Sequence, residues 1–337
     1  MALLETGRRA LRRGRALLPW TTVVARNASA GRTGPRIAVI GNCQARGVAR
    51  SLTVLLPNAR VDLMPIGTLG KGRRSLSAFA ESLRAYDHVF SQPFLTGRFR
   101  DGGSAELVEL LPQARLFPAI VFPAFHPDMV YVGDLGSGAE AALVPSPLHT
   151  YHSAITLFGY LRGVSAARIV RLFREQTFAA LGYLDGWQLS AEDLARSSRA
   201  VGVDLTPEIL RWSRRGAFMH AINHPKLFVL ADLAARLARD ADLAPADLSV
   251  DAYLVDDLLD DVIWPIYPPI ADVYGLAGSY TFKQRTAPGA APSMLDLQTF
   301  IAGSLALYDT MPKTRLTCHR TEHWSSAPEI RALFDAA

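Results

Sequence analysis

The first regular pattern in the chain is a run of four apolar residues, Ile37 to Ile40, followed by glycine and then by apolar positions at helical spacing, Val48, Leu52, Leu55 and Leu56. A short all-apolar run of this kind is what a strand buried on both faces looks like, and Pro57-Asn58 stops the helix after it. The alternation repeats. Val61 to Ile66 reads as a second strand. Ser75 opens a helix carrying Leu76, Phe79, Leu83 and Tyr86. Asp87 to Gln92 reads as a third strand, Leu107 to Leu111 as helix and Leu116 to Phe122 as a fourth strand. Strands alternating with helices predict a parallel sheet with right-handed crossovers, an α/β unit of Rossmann or SGNH-like type.

Past residue 150 the strand pattern fades. Ser153–Leu161, Ser165–Leu181, Ala191–Val201, Thr206–His220, His224–Arg239, Val250–Leu259 and Leu295–Tyr308 all carry helical spacing, and Pro265, Pro268 and Pro269 predict an extended loop. The expected organisation is a basic, disordered arm over 1–35, an α/β domain over 36–145, a mostly helical domain over 146–311 and an irregular polar tail over 312–337.

Composition narrows the class. A chain of 337 residues, 49% hydrophobic and 20% charged, is a folded globule with ample core. Its apolar runs are too short to span a bilayer. Two cysteines give neither a disulfide framework nor a four-cysteine zinc site, which fits a reducing, cytoplasmic compartment. The net charge of +5 owes much to Arg8, Arg9, Arg12, Arg13, Arg15, Arg26 and Arg32, which face one acid, Glu5. The remainder is nearly balanced, so nucleic acid is not an expected partner. The basic arm is read as mobile, with peripheral contact to anionic lipid as a second reading and a cleaved leader as a third.

The chemistry gathers where the first strand ends. Cys43 lies in Gly41-Asn42-Cys43-Gln44, at the turn into a helix. In a doubly wound sheet that edge opens on the ligand crevice, and a helix N-terminus lowers a thiol pKa and offers N–H donors to an oxyanion. Asn42, Gln44 and Gln92, at the end of the third strand, add amides that can hold a carbonyl oxygen. The competing reading is a small buried hydrophobe; for Cys318, beside His319 and His323, that kind of incidental role is preferred. Neither G-x-G-x-x-G nor a P-loop is present.

A thiol nucleophile needs a base. His126, just past the predicted fourth strand, is the favoured one, with Asp128 to orient it. His152 and His224 are further candidates, whereas His88 is expected at the opposite sheet edge. His220 and His224 could share a helix face, but the H-E-x-x-H signature is missing and no metal is expected.

Six segments taken jointly resemble the WcbI family of polysaccharide-biosynthesis proteins. They are Ile40-Gly41-Asn42-Cys43-Gln44-Ala45, the run from Pro118 to Asp128, Tyr151-His152-Ser153, Leu181-Gly182-Tyr183 with Trp187, Arg215 to His220 continuing through Asn223-His224-Pro225-Lys226, and Trp264 to Pro268. The resemblance runs from Arg36 to about Tyr308. It implies an acetyltransferase that uses acetyl-coenzyme A on a sugar of a capsular or related surface polysaccharide, with the family's cysteine falling on Cys43. On chemistry alone, the coenzyme A phosphates would meet Lys71, Arg73, Arg74, Arg214, Arg215 or Lys226. Two other readings stay open. One is an SGNH-like esterase or deacetylase. The other is a non-catalytic sugar-binding component, with Trp187, Trp212, Trp264 and Tyr267 stacking on sugar rings.

Overall fold

The structure is a computed structural model that describes residues 33–69, 74–94, 97–134, 142–287 and 290–336. Residues 1–32 of the predicted arm, Lys71 and Arg73 lie outside the described residues, and Gly34 and Pro35, expected at the end of the arm, bond to Asn58 and Arg60 beside the second strand.

Four parallel strands, β1 (Arg36–Gly41), β2 (Arg60–Pro65), β3 (His88–Ser91) and β4 (Ala114–Leu116), pair in the order β2-β1-β3-β4. Side chains alternate across a strand, and β1 uses this fully. Ile37 and Val39 join one apolar cluster with Val48 and Leu52 of α1 (Cys43–Leu55). Ala38 and Ile40 join another with Phe79 and Leu83 of α2 (Leu76–Leu83) and Leu107 of α3 (Ser104–Leu110). Helices therefore cover both faces, and the strand order reverses direction at β1 and β3. The carboxyl ends of those two strands form the crevice of a doubly wound sheet. The α/β class and the helical remainder are as the sequence predicts. His88 starts β3 opposite Ile37, at the amino edge as expected.

The helical region consists of α4 (Ala154–Leu161), α5 (Ala166–Arg171), α6 (Glu175–Ala180), α7 (Gly186–Arg199), α8 (Thr206–Ser213), α9 (Leu227–Asp240), α10 (Pro268–Tyr274), α11 (Leu297–Tyr308), α12 (His319–Ser326) and α13 (Pro328–Asp335). Its apolar side chains continue the cluster on the α1 face, from Ile37 through to Phe334. α9 lies directly on α1. A Cβ on Gly47 would collide with Leu230, so glycine lets the two helices approach.

Several elements differ from the periodicity. The fourth strand ends at Leu116, because Pro118 has no N–H and Ile120 gives its N–H and C=O to the Gln44 side chain instead of a ladder. The helix predicted over Ser165–Leu181 breaks at Arg174, where the backbone is extended and the Phe173 carbonyl accepts from the Tyr280 hydroxyl. The helix from Thr206 stops at Ser213. Gly216, at φ +85°, then turns the chain into a short strand, Met219–Ala221, paired with His224–Pro225. His220 and His224 are thus on paired strands, not on one helix face. Asp256 accepts from the backbone N–H groups of Leu227 and Leu258, and only 3-10 turns form across Val250–Asp260. Pro268 and Pro269 begin α10, where an N-terminal proline loses no helical bond. The tail predicted to be irregular forms α12 and α13, with Trp324 and Phe334 buried against Phe158 of α4. Cys318 caps α12 and is buried, so it is not part of a solvated tail.

Candidate active site

The turn after β1 is held from three sides. The Asn42 side chain caps α1, its Oδ1 accepting from the Gln44 N–H at 3.0 Å. The Asn42 N–H donates to Gln92 Oε1 at 2.8 Å, tying the ends of β1 and β3 together. Gly41 makes room for that bond, since a Cβ there would collide with Gln92 Oε1 and sit 2.8 Å from the Ala45 methyl. Gln44 is 1% exposed. Its Nε2 donates to the Ile120 and Asn223 carbonyls at 2.9 and 2.8 Å, and its Oε1 accepts from the Ile120 N–H at 2.9 Å. The amides of Gln44 and Gln92 are therefore spent on building the turn, not on a substrate carbonyl as their positions suggest.

Through Asn223, the turn is linked to two tyrosines. Asn223 Nδ2 donates to the Tyr131 hydroxyl at 2.9 Å, and its Oδ1 accepts from the Tyr151 hydroxyl at 3.0 Å. Tyr151 also lies 3.2 Å from His224 Nε2. Tyr131 and Tyr151 both feel the Cys43 sulfur and the Asp261 carboxylate, and burial, their largest influence, raises the pKa of each phenol.

Cys43 itself is exposed and opens on a cavity of about 600 Å³. The walls include Arg46, one turn along α1, and Asp257, Asp260, Asp261, Arg285 and Thr286 from the opposite side. No hydrogen bond or ion pair among the described residues engages the guanidinium of Arg46 or Arg285, while Asp257 is paired with Arg50. Although the residue is exposed, its sulfur is crowded by protein. That desolvation raises the thiol pKa, and the Asp261 carboxylate raises it further; N–H groups of Gln44 and Cys43 pull the other way without prevailing. The expected lowering by the helix N-terminus is thus reversed, and at neutral pH Cys43 rests as a thiol.

The predicted bases are distributed otherwise. His126 is 2% exposed and does not line the cavity. Burial pushes its pKa down to about 3, with the Pro265 and Met219 backbone as lesser, opposing influences. Asp128 is not its partner. It accepts from the Ile155 N–H at 2.9 Å, the Tyr183 hydroxyl at 3.1 Å and the Tyr267 hydroxyl at 3.0 Å. His152 is buried between the Tyr308 hydroxyl, 2.8 Å away, and the Val144 carbonyl, 3.0 Å away. Asp128 and His152 knit the interior, whereas neither ring nitrogen of the buried His126 has a hydrogen-bond partner among the described residues. His224 alone reaches the network behind Cys43, and it is buried, with desolvation lowering its pKa.

Of the basic candidates, Arg74 stands at the entry to α2 and does not line the cavity. Arg215 pairs with Asp251 at 2.7 Å and lies over the Phe228 ring, facing a different cavity of about 310 Å³. Arg214 caps the end of α8 and Lys226 the start of α9. Trp212, Trp264 and Tyr267 are core residues and offer no stacking platform, while the half-buried Trp187 packs on Phe122 and Phe125 and borders a separate cavity of about 190 Å³, away from Cys43. Arg46, Asp261, Arg285 and Tyr131 were not singled out from sequence, and Asn223 only as part of a family segment. Only Arg46 carried a signal, three positions beyond Cys43 on one helix face. Among the described residues no group of three or more His, Cys, Asp or Glu side chains is placed to hold a metal ion, and no helix is long and apolar enough to cross a membrane.

A doubly wound sheet with a thiol at its switch point, opening on a cavity bordered by the guanidinium groups of Arg46 and Arg285, defines an α/β protein with a cysteine-centred site. The chain belongs to the WcbI family of polysaccharide biosynthesis enzymes, which it matches over residues 36–246. The far cavity wall, from Asp257 to Thr286, lies beyond that segment. No curated protein matches the chain. A solved structure of WcbI shares the fold, with a TM-score of 0.62 and 16% identity over 89% of this chain and 98% of the other. That structure is described as a novel polysaccharide biosynthesis enzyme, the native protein without a disulfide bond between coenzyme A and a cysteine.

Proposed function

We propose that this protein transfers an acetyl group from acetyl-coenzyme A to a sugar hydroxyl during the synthesis of a capsular or other surface polysaccharide, with Cys43 at the reaction centre. The observation that carries this reading is the position of Cys43 on a cavity of about 600 Å³ beside Arg46 and Arg285. Guanidinium groups without a partner among the described residues suit the phosphates of a coenzyme A thioester, for which charge-assisted bonds are the strong contacts. The WcbI structure is described by the absence of a disulfide between coenzyme A and a cysteine, and this mention of the two together is in keeping with a coenzyme A thioester near Cys43.

The turn positions the sulfur. Asn42, Gln92 and Gln44 are occupied in holding it, so geometry is fixed before substrate arrives. In the covalent route, the Cys43 sulfur attacks the thioester carbonyl and its proton passes to the departing coenzyme A sulfur. An acceptor hydroxyl then attacks the acetyl-cysteine. Because Cys43 rests as a thiol, its proton leaves as attack proceeds rather than beforehand.

The test is intact-mass spectrometry of the protein incubated with acetyl-coenzyme A, alongside coenzyme A release assays on a panel of methyl glycosides. Mass gain of one acetyl group at Cys43, together with release that is lost in Cys43→Ala, is expected. No acetyl adduct together with full activity in Cys43→Ala would end the covalent route. Acetate release from acetylated polysaccharide without coenzyme A would replace the transferase by an esterase.

A further inference from the structure

The groups that act electrostatically on the Cys43 sulfur or its tyrosine neighbours are few, and they differ in access. His224 and Tyr151 are buried, and each is hydrogen-bonded to the other. The Tyr131 hydroxyl is engaged by Asn223. Asp261 alone among them lines the open cavity together with Cys43. Its Oδ1 accepts from the Val262 N–H at 2.8 Å, which fixes the carboxyl plane. Its Oδ2 has no hydrogen-bond partner among the described residues. The other cavity carboxylates are placed differently: Asp257 is bound to Arg50, and Asp261 is the carboxylate whose charge raises the Cys43 thiol pKa.

Resting on the acyl-transfer reading above, we propose that Asp261 is the catalytic base that takes the proton of the acceptor hydroxyl. As the hydroxyl oxygen bonds to the acyl carbon, its proton moves to the free Asp261 oxygen. The carbon–sulfur bond then breaks, and the proton passes from Asp261 to the departing sulfur. No other reactant is needed, and the carboxylate is restored. A carboxylate is a weak base toward an alcohol, so the transfer occurs in the transition state, where a positioned base contributes roughly 10²–10⁴-fold. The same charge beside the sulfur adds to the larger effect of burial in raising the Cys43 thiol pKa.

The experiment uses the full chain and its Asp261→Asn and Asp261→Glu variants, with melting temperatures as the check on folding. Coenzyme A release from acetyl-coenzyme A is measured with the methyl glycoside panel. Alkylation of Cys43 by iodoacetamide is measured in parallel as a function of pH. We expect Asp261→Asn to lower kcat about 100-fold or more with little change in KM for acetyl-coenzyme A. Asp261→Glu should recover part of the loss, and the Asp261→Asn alkylation midpoint should move to lower pH. Wild-type kcat in Asp261→Asn, while Cys43→Ala is inactive, would overturn the proposal and leave acyl transfer standing. An unshifted alkylation profile would overturn it equally, by placing the carboxylate out of reach of the sulfur. If the wild-type protein acylates no glycoside at all, the acyl-transfer reading fails and the role of Asp261 falls with it.

Discussion

Gln44 Nε2 lies 2.8 Å from the carbonyl oxygen of Asn223, a residue 179 positions later in the chain. This bond joins the cysteine turn of the sheet to the strand pair that carries His224. The same amide group exchanges two bonds with Ile120, so one buried side chain fixes three segments around Cys43.

Replacing Gln44 should therefore be costly. In Gln44→Leu, the Ile120 N–H and the Ile120 and Asn223 carbonyls lose partners in a buried site, at roughly 1–3 kcal/mol for each unsatisfied group, less what water recovers. The expected loss is about 3 kcal/mol of unfolding free energy by urea titration, with a fall in any Cys43-dependent activity.

Gly41→Ala tests the close approach behind the cysteine. The added methyl meets Gln92 and the Ala45 side chain, so the bond from the Asn42 N–H must break or β3 must shift. Overpacking of this kind costs about 1–3 kcal/mol, readable as a lower melting temperature and as altered alkylation kinetics at Cys43. Cys43→Ser, at an exposed position, should stay within about 0.5 kcal/mol of the wild type.

Arg46→Ala and Arg285→Ala should each weaken binding of coenzyme A by about 10-fold or more, the usual scale for losing a charge-assisted contact. Calorimetry checks this, and the wild-type affinity should fall with added salt. Arg215→Ala, at the other cavity, should leave affinity unchanged.

Acid should destabilise the fold through its buried histidines. The folded-state pKa of His126 is about 3 and that of His152 about 4, against an ordinary 6.5. Both groups are depressed, so their stabilisation is complete above pH 6.5 and is lost as pH falls toward 3 to 4, because the unfolded chain takes up protons that the folded chain refuses. Each histidine contributes a slope of up to about 1.4 kcal/mol per pH unit within its window. His126→Phe should flatten the dependence between pH 6 and 4 in urea titrations; an unchanged slope would contradict the assignment.

What the sequence determined by itself was local. Ile37 to Ile40, and the helical spacing from Val48 to Leu55, specify a buried strand and its helix through side-chain periodicity alone, and Gly41-Asn42-Cys43-Gln44 placed the thiol at the crevice. The family was legible in the same way, from short motifs. The partners were not. His126 and Asp128 stand two positions apart in sequence at a plausible sheet edge, yet the tertiary structure turned both into the interior, where tyrosines claim the carboxylate. Gln44 and Gln92 looked like donors for substrate and became struts. Asp261 and Arg285 came to the cavity from segments with no motif, because residues 257–261 and 285–287 come to lie opposite the Cys43 turn and only that tertiary placement sets which charges line the cavity. A hydrophobic pattern encodes which face of an element is buried; it holds no record of which distant side chain completes a polar site, since that depends on how the faces meet.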